Sequence, residues 1–158
     1  MKRKKLISWG LMIIWMIFIF YMSNQTAGQS SSQSNKVLEI LLMLGINIPS
    51  EMYNMATFII RKTAHFSEYF ILYLLVINVM KYYVKEKKLI LLSIMIVFLY
   101  AISDEVHQYF IPGRSMAMRD VLIDTFGGIV AAGFYKIIDI IKSRKLKYAA
   151  INDAKLHY

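Results

Sequence analysis

At 158 residues, 58% of them apolar and with a mean hydropathy of +0.48, the chain has room for one compact unit and is best read as a single membrane domain over 1–158. The absence of cysteine excludes disulfides, thiolate nucleophiles and cysteine metal sites. The net charge of +9 comes from basic residues set beside apolar blocks, not along one soluble face, which favours membrane lipids as partners and excludes nucleic acid.

The first apolar block, "LISWGLMIIWMIFIFYM" at 6–22, is uncharged and long enough to cross the hydrocarbon. Although "MKRKK" precedes it, its two tryptophans and the following "SNQTAG", which lacks a small-x-small cleavage site, predict a retained anchor and not a signal peptide. In the connection that follows, "SNQTAGQSSSQSN" is expected to be polar and extended. "KVLEILLMLGINI" and "PSEMYNMATFII" are too short to span and are expected to form two short helices in the first external loop, either interfacial at the outer membrane surface or tucked against the bundle. Further spans are predicted at about 64–84, 89–110 and 121–141, with a cytoplasmic tail at about 142–158. The fold class is therefore an all-α integral membrane protein with four transmembrane helices. Most of the 19 basic residues flank the N-terminus, the 81–88 connection and the C-terminal end, which predicts that both termini are cytoplasmic.

Polar residues gather at the other ends of the spans. Lys81 back to His65, Lys88 forward to Asp104 and Lys136 back to Asp120 are equal separations, about 24 Å along a helix at about 1.5 Å per residue. Helical spacing puts Lys62, His65 and Tyr69 on one face with Glu68 beside them. It likewise groups Asp104 with His107 and Gln108, and Asp120 with Asp124. Such groups are costly against lipid and are expected to face the bundle interior. Gly127, Gly128, Ala131 and Ala132 continue the Asp120 face as a packing stripe. "IPGRS" is a turn in which Pro112 and Gly113 end the third span, Ser115 helps to start the fourth, and Arg114 stands at the mouth of the polar cluster.

The stretches "YMSNQTAGQSSSQS", "RKTAHFSEY", "SDEVHQYFIPGR" and "RDVLIDTFGG" together resemble the VanZ-like family of bacterial membrane proteins, over most of the chain. The resemblance implies a small multi-pass protein of the bacterial cytoplasmic membrane, linked to low-level resistance to the glycopeptide teicoplanin. It assigns Lys62, His65, Glu68 and Tyr69 to one motif element, Asp104, Glu105, Gln108 and Arg114 to a second, and Asp120, Gly127 and Gly128 to a third. Where the pattern leads one to expect asparagine, this chain has Asp124.

Three readings of the cluster remain. In the first, Lys62, Arg114 and Arg119 neutralise Glu68, Asp104, Glu105 and Asp120 as a structural network. The second and preferred reading is a binding site at the outer membrane face. There Arg114, Lys62 and Gln108 hold the head of an amphiphile, either a lipidated glycopeptide or an envelope lipid precursor. In the third, an enzyme acts on an envelope lipid or glycan: His65 is general base, oriented by Glu68 or Asp104, while Lys62 and Arg114 stabilise a developing anion. A serine nucleophile would have to be Ser67 or Ser103. No cofactor is predicted, but two histidines among several carboxylates leave a divalent metal open.

Overall fold

The computed structural model describes the backbone of residues 2–156 and the side chains of residues 2–85 and 88–148. The described residues contain no strand. Helix α1 spans Lys2–Ser23 and α2 spans Ala27–Met43; a 3-10 turn at Ser50–Met52 then runs into α3, Tyr53–Met80. Helices α4, Glu86–Gln108, and α5, Met118–Leu156, complete the chain. Four segments are long and apolar enough to cross a membrane: Lys2–Ser23, Ser50–Met80, Lys88–Gln108 and Met118–Tyr148. The protein is thus an all-α, multi-pass membrane protein.

Contacts between turns fix how the helices run. At one end Trp9 Nε1 donates to the Tyr83 hydroxyl at 2.8 Å, and Lys5 Nζ sits 4.0 Å from the centre of the Tyr83 ring, which joins the start of α1 to the α3–α4 turn. At the other end Ala27 N donates to the Pro112 carbonyl at 3.4 Å, joining the α1–α2 turn to the α4–α5 turn. Successive spans are therefore antiparallel. The first of these ends carries the lysine clusters and is called the basic end below; the second is the polar end.

Helix α3 lies at the centre and packs against each of the other four. Its Tyr69, Leu72, Tyr73 and Val76 are buried together with Val97 and Ala101 of α4 and Val121 and Ala131 of α5. Facing outward, Ile14, Leu99, Leu122 and Phe126 stay exposed, as side chains solvated by lipid tails do. In that solvent, helices are held by close packing and polar contacts, not by a hydrophobic drive. Two glycines supply the closeness. A Cβ on Gly127 would overlap the Phe66 carbonyl oxygen, and one on Gly128 would lie 2.9 Å from Val97 Cγ1.

The structure corrects the reading of residues 23–63. The serine-rich stretch is not extended: it forms the first half of α2. A capping box starts that helix, the Thr26 hydroxyl accepting from Gln29 N at 3.3 Å and Gln29 Oε1 accepting from Thr26 N at 2.9 Å. Ser30 and Ser34 then face protein, Ser34 Oγ donating to the Ser30 carbonyl at 3.1 Å. "KVLEILLM" is the second half of the same helix, which stops before Gly45 at φ 87°.

Nor is "PSEMYNMATFII" a separate surface helix, because after the 3-10 turn it becomes the first turns of α3. The second span therefore begins well before residue 64 and ends at Met80, not 84. Arg61 and Lys62 are tolerated inside it because each finds a partner on a neighbouring helix, Ser31 and Asp120 respectively. The third span ends at Gln108, after which Gly113 at φ 76° turns the chain. Helix α5 starts at Met118, beyond Ser115, and continues through the expected tail to Leu156; His157 lies outside the described residues.

The glycine contact yields a stability test. Gly127→Ala should cost about 1–3 kcal/mol because the rigid Phe66 backbone must give way. Gly133→Ala, where an added Cβ meets nothing within 4 Å, should leave thermal unfolding in detergent unchanged. Equal effects of the two substitutions would rule out the close α3–α5 approach.

Candidate functional site

One face of α3 carries Lys62, His65 and Tyr69 toward α4 and α5, and partners meet it from both. Lys62 Nζ lies 2.6 Å from Asp120 Oδ1, each side chain 18% exposed. One turn deeper, His65 Nδ1 lies 3.7 Å from Asp124 Oδ1, and Asp124 is wholly buried. From α4, Asp104 is buried beside Tyr69 and accepts from Gln108 Nε2 through Oδ2 at 3.1 Å. Buried Glu105 accepts from Ala117 N through Oε2 at 2.9 Å, tying the end of α4 to the entry of α5. These bonds leave gaps: among the described residues neither oxygen of Asp124, nor Nδ1 of His65, nor Oε1 of Glu105 has a hydrogen-bond partner. Burial without a partner is expensive for such groups and is uncommon outside working sites.

Beside this cluster lies a cavity of about 180 Å³ between α2, α3 and the α4–α5 turn. Gln33, Ser34, Arg61, His65, Glu68 and Arg114 line it, so His65 belongs both to the cavity wall and to the acid cluster. Arg61 Nη2 donates to Ser31 Oγ at 2.8 Å, whereas its Nε is buried with no hydrogen-bond partner among the described residues. Burial, and after it the like charge of Arg61, press the Arg114 guanidinium below its ordinary pKa, while Asp104, Glu105 and Glu68 pull it the other way. Two guanidinium groups crowded at one opening make a place where an anion is stabilised.

Of the residues singled out from sequence, Lys62, His65, Tyr69, Asp104, Glu105, Gln108, Asp120 and Asp124 converge at the polar end, and Glu68 and Arg114 line the adjoining cavity. His107 lies at the α1 edge of the Asp104 face. Its Nε2 lies 3.3 Å from Asn24 Oδ1 and its ring 4.5 Å from that of Phe20, so it serves the α1 contact and is no second histidine for the cluster. Arg119 is exposed. The hydroxyls of Ser67 and Ser103 are exposed and turned to carbonyls of their own helices, Thr63 and Tyr100, which removes the two nucleophile candidates. Arg61 and the serine face of α2 were missed; the Thr26 to Gln29 capping signature was their available signal.

A family model described as VanZ/LLP1 matches residues 8–139. The chain belongs to the VanZ/LLP1 family. The matched region takes in most of the first and fourth spans, the whole of the second and third, α2 and every residue of the polar cluster, and it stops within α5. No curated protein and no solved structure matches the chain.

The Lys62–Asp120 pair invites a double-mutant cycle. Lys62→Met and Asp120→Asn should each destabilise, and the double variant should recover part of the loss, giving a coupling of about 0.5–2 kcal/mol, as for polar contacts between membrane helices. Unfolding in detergent micelles measures it; strict additivity would mean that the two side chains do not interact.

Proposed function

We propose that this VanZ/LLP1 protein binds the anionic head of a lipid-anchored envelope molecule at the outer face of the bacterial cytoplasmic membrane. Tolerance to the lipidated glycopeptide teicoplanin follows from that binding. The observation that carries the reading is the pairing of Arg61 and Arg114 on one cavity that also offers Glu68, His65 and the α2 polar side chains. Guanidinium groups present planar donor forks matched to phosphate or carboxylate oxygens, and Gln33 and Ser34 suit hydroxyls of a sugar. Met22, Val37 and Ile60 on the same cavity give an acyl chain an apolar exit. Such a mixture of a few polar groups with an apolar wall suits an amphiphile better than a fully soluble ligand.

The outward placement rests on the lysine-rich turns at the opposite end, which the positive-inside rule assigns to the cytoplasm. Because the chain has no cysteine, single introduced cysteines report the topology directly. Ser115→Cys should react with a membrane-impermeant maleimide in intact cells, and Ser143→Cys only after permeabilisation. The reverse pattern would turn the cavity toward the cytoplasm and end the outer-face assignment.

For the ligand, Arg114→Ala and Arg61→Ala should each lower teicoplanin tolerance of expressing cells to the level of cells without the protein. Arg114→Lys should keep only part of it, since an ammonium cannot reproduce the fork. Membrane abundance of each variant must equal that of the parent. Full protection by both alanine variants at equal abundance would dismiss the cavity as the determinant.

A further inference from the structure

We infer that His65, Asp104 and Asp124 form a binding site for one divalent first-row cation, of the manganese or zinc class, inside the polar end of the bundle. Each of the three comes from a different helix, α3, α4 and α5, yet one ligand atom from each lies within 4.8 Å of the others. Zinc takes nitrogen and oxygen ligands at about 2.0–2.2 Å, which sets neighbouring donors about 3.3–3.6 Å apart, so the His65–Asp124 pair is nearly spaced for an ion and the widest pair must close by roughly an ångström.

The state of the ligand atoms points the same way. Asp124 has no exposed surface, and among the described residues neither of its oxygens accepts a hydrogen bond, while the facing His65 Nδ1 has no hydrogen-bond partner there either. Interior packing does not leave a carboxylate and an imidazole nitrogen opposed and unbonded without cost. The nearest ammonium is already engaged, Lys62 being bound to Asp120 at 2.6 Å. A dication would balance the two carboxylates of Asp104 and Asp124, and it would give His65 Nδ1 a use for its lone pair.

The surroundings suit this role. Gln108 holds Asp104 through Oδ2 at 3.1 Å, the kind of supporting hydrogen bond that orients a metal-bound carboxylate. One imidazole with two carboxylates favours manganese or zinc over magnesium, which keeps to oxygen and water, and over copper(I), which seeks sulfur. Three protein ligands leave coordination positions free, and of the three His65 also stands on the wall of the arginine-lined cavity, which sets the site beside it. The site stands whether or not an envelope lipid occupies that cavity.

The test uses the full chain, purified in detergent with any affinity tag removed, stripped with EDTA and incubated separately with MnCl2, ZnCl2 and MgCl2. After gel filtration, mass spectrometry should find close to one equivalent of manganese or zinc and little magnesium. The retained ion should raise the melting temperature. Asp124→Asn and His65→Gln should both lose the ion, and Asp139→Asn, at the basic end, should keep it. Should either ligand variant fold poorly, the electron paramagnetic resonance of the manganese-loaded parent decides the matter: coupling to an imidazole nitrogen supports the site, and its absence overturns it. Failure of the parent to retain either ion, or equal retention by a folded Asp124→Asn, would also overturn the site. The Arg114→Ala variant keeps all three ligands and should bind metal as the parent does, so loss of drug tolerance and loss of metal separate the two readings.

Discussion

The approach of α5 to α3 is the constraint on which the polar end depends. Gly127 lets the α5 backbone settle against the Phe66 carbonyl, and only at that separation can side chains as short as Asp120 and Asp124 meet Lys62 and His65. In lipid, unlike in water, two apolar helix faces gain little by meeting, because acyl chains solvate them equally well. The glycine contact supplies dispersion and closeness, and the ion pair one to two turns away supplies a polar contact that lipid cannot replace. Each makes the other effective, and both sit on the helix face that α3 presents to α5.

Helix α2 plays a different part. It does not complete the bundle; it closes one side of the cavity. Its capping box fixes where the helix starts, and the Ala27 amide bound to the Pro112 carbonyl fixes it against the turn that carries Arg114. Ser31 then receives the Arg61 guanidinium from α3. The two arginines are thus positioned by contacts that run through α2, and the shape of the cavity follows from the entry of a helix that is weakly apolar over its first half.

The four spans were legible because bilayer-crossing segments are defined by length and hydropathy, which a sequence displays directly. The gathering of His65, Asp104 and Asp120 toward one end of the bundle was legible too, since a helix rises by a constant amount from each lysine anchor, but the register was not: His65 meets Asp124, one turn beyond Asp120. Other features were hidden for physical reasons. Serine has no strong helical preference, so the first half of α2 depends on its cap and its packing, not on its composition. His107 shares the Asp104 arc, since three residues advance a helix by about 300° and four by about 400°, but its pairing with α1 does not show in that spacing. Which edge of that arc faces α1 is decided by Phe20 and Asn24, far away in sequence. Arg61 was overlooked beside Lys62 because α2, its partner, was not seen as a helix.

Position 124 shows how one atom can alter the demands of such a site. The resemblance to VanZ-like sequences leads to an expectation of asparagine, whose amide is neutral and carries its own donors. An amide at this depth could donate to a neighbouring carboxylate and need nothing further. Asp124 in its ionised form has acceptors only, and it lies in a pocket that already holds Asp104 and approaches Glu105. Replacing a donor by a charge in a dry site obliges the surroundings to provide a proton or a cation. Lys62 is held by Asp120, and the arginines border the cavity on the far side of His65. With one imidazole facing it at 3.7 Å and Asp104 close by, a carboxylate there meets its demand either by holding a proton or by sharing the cation inferred above.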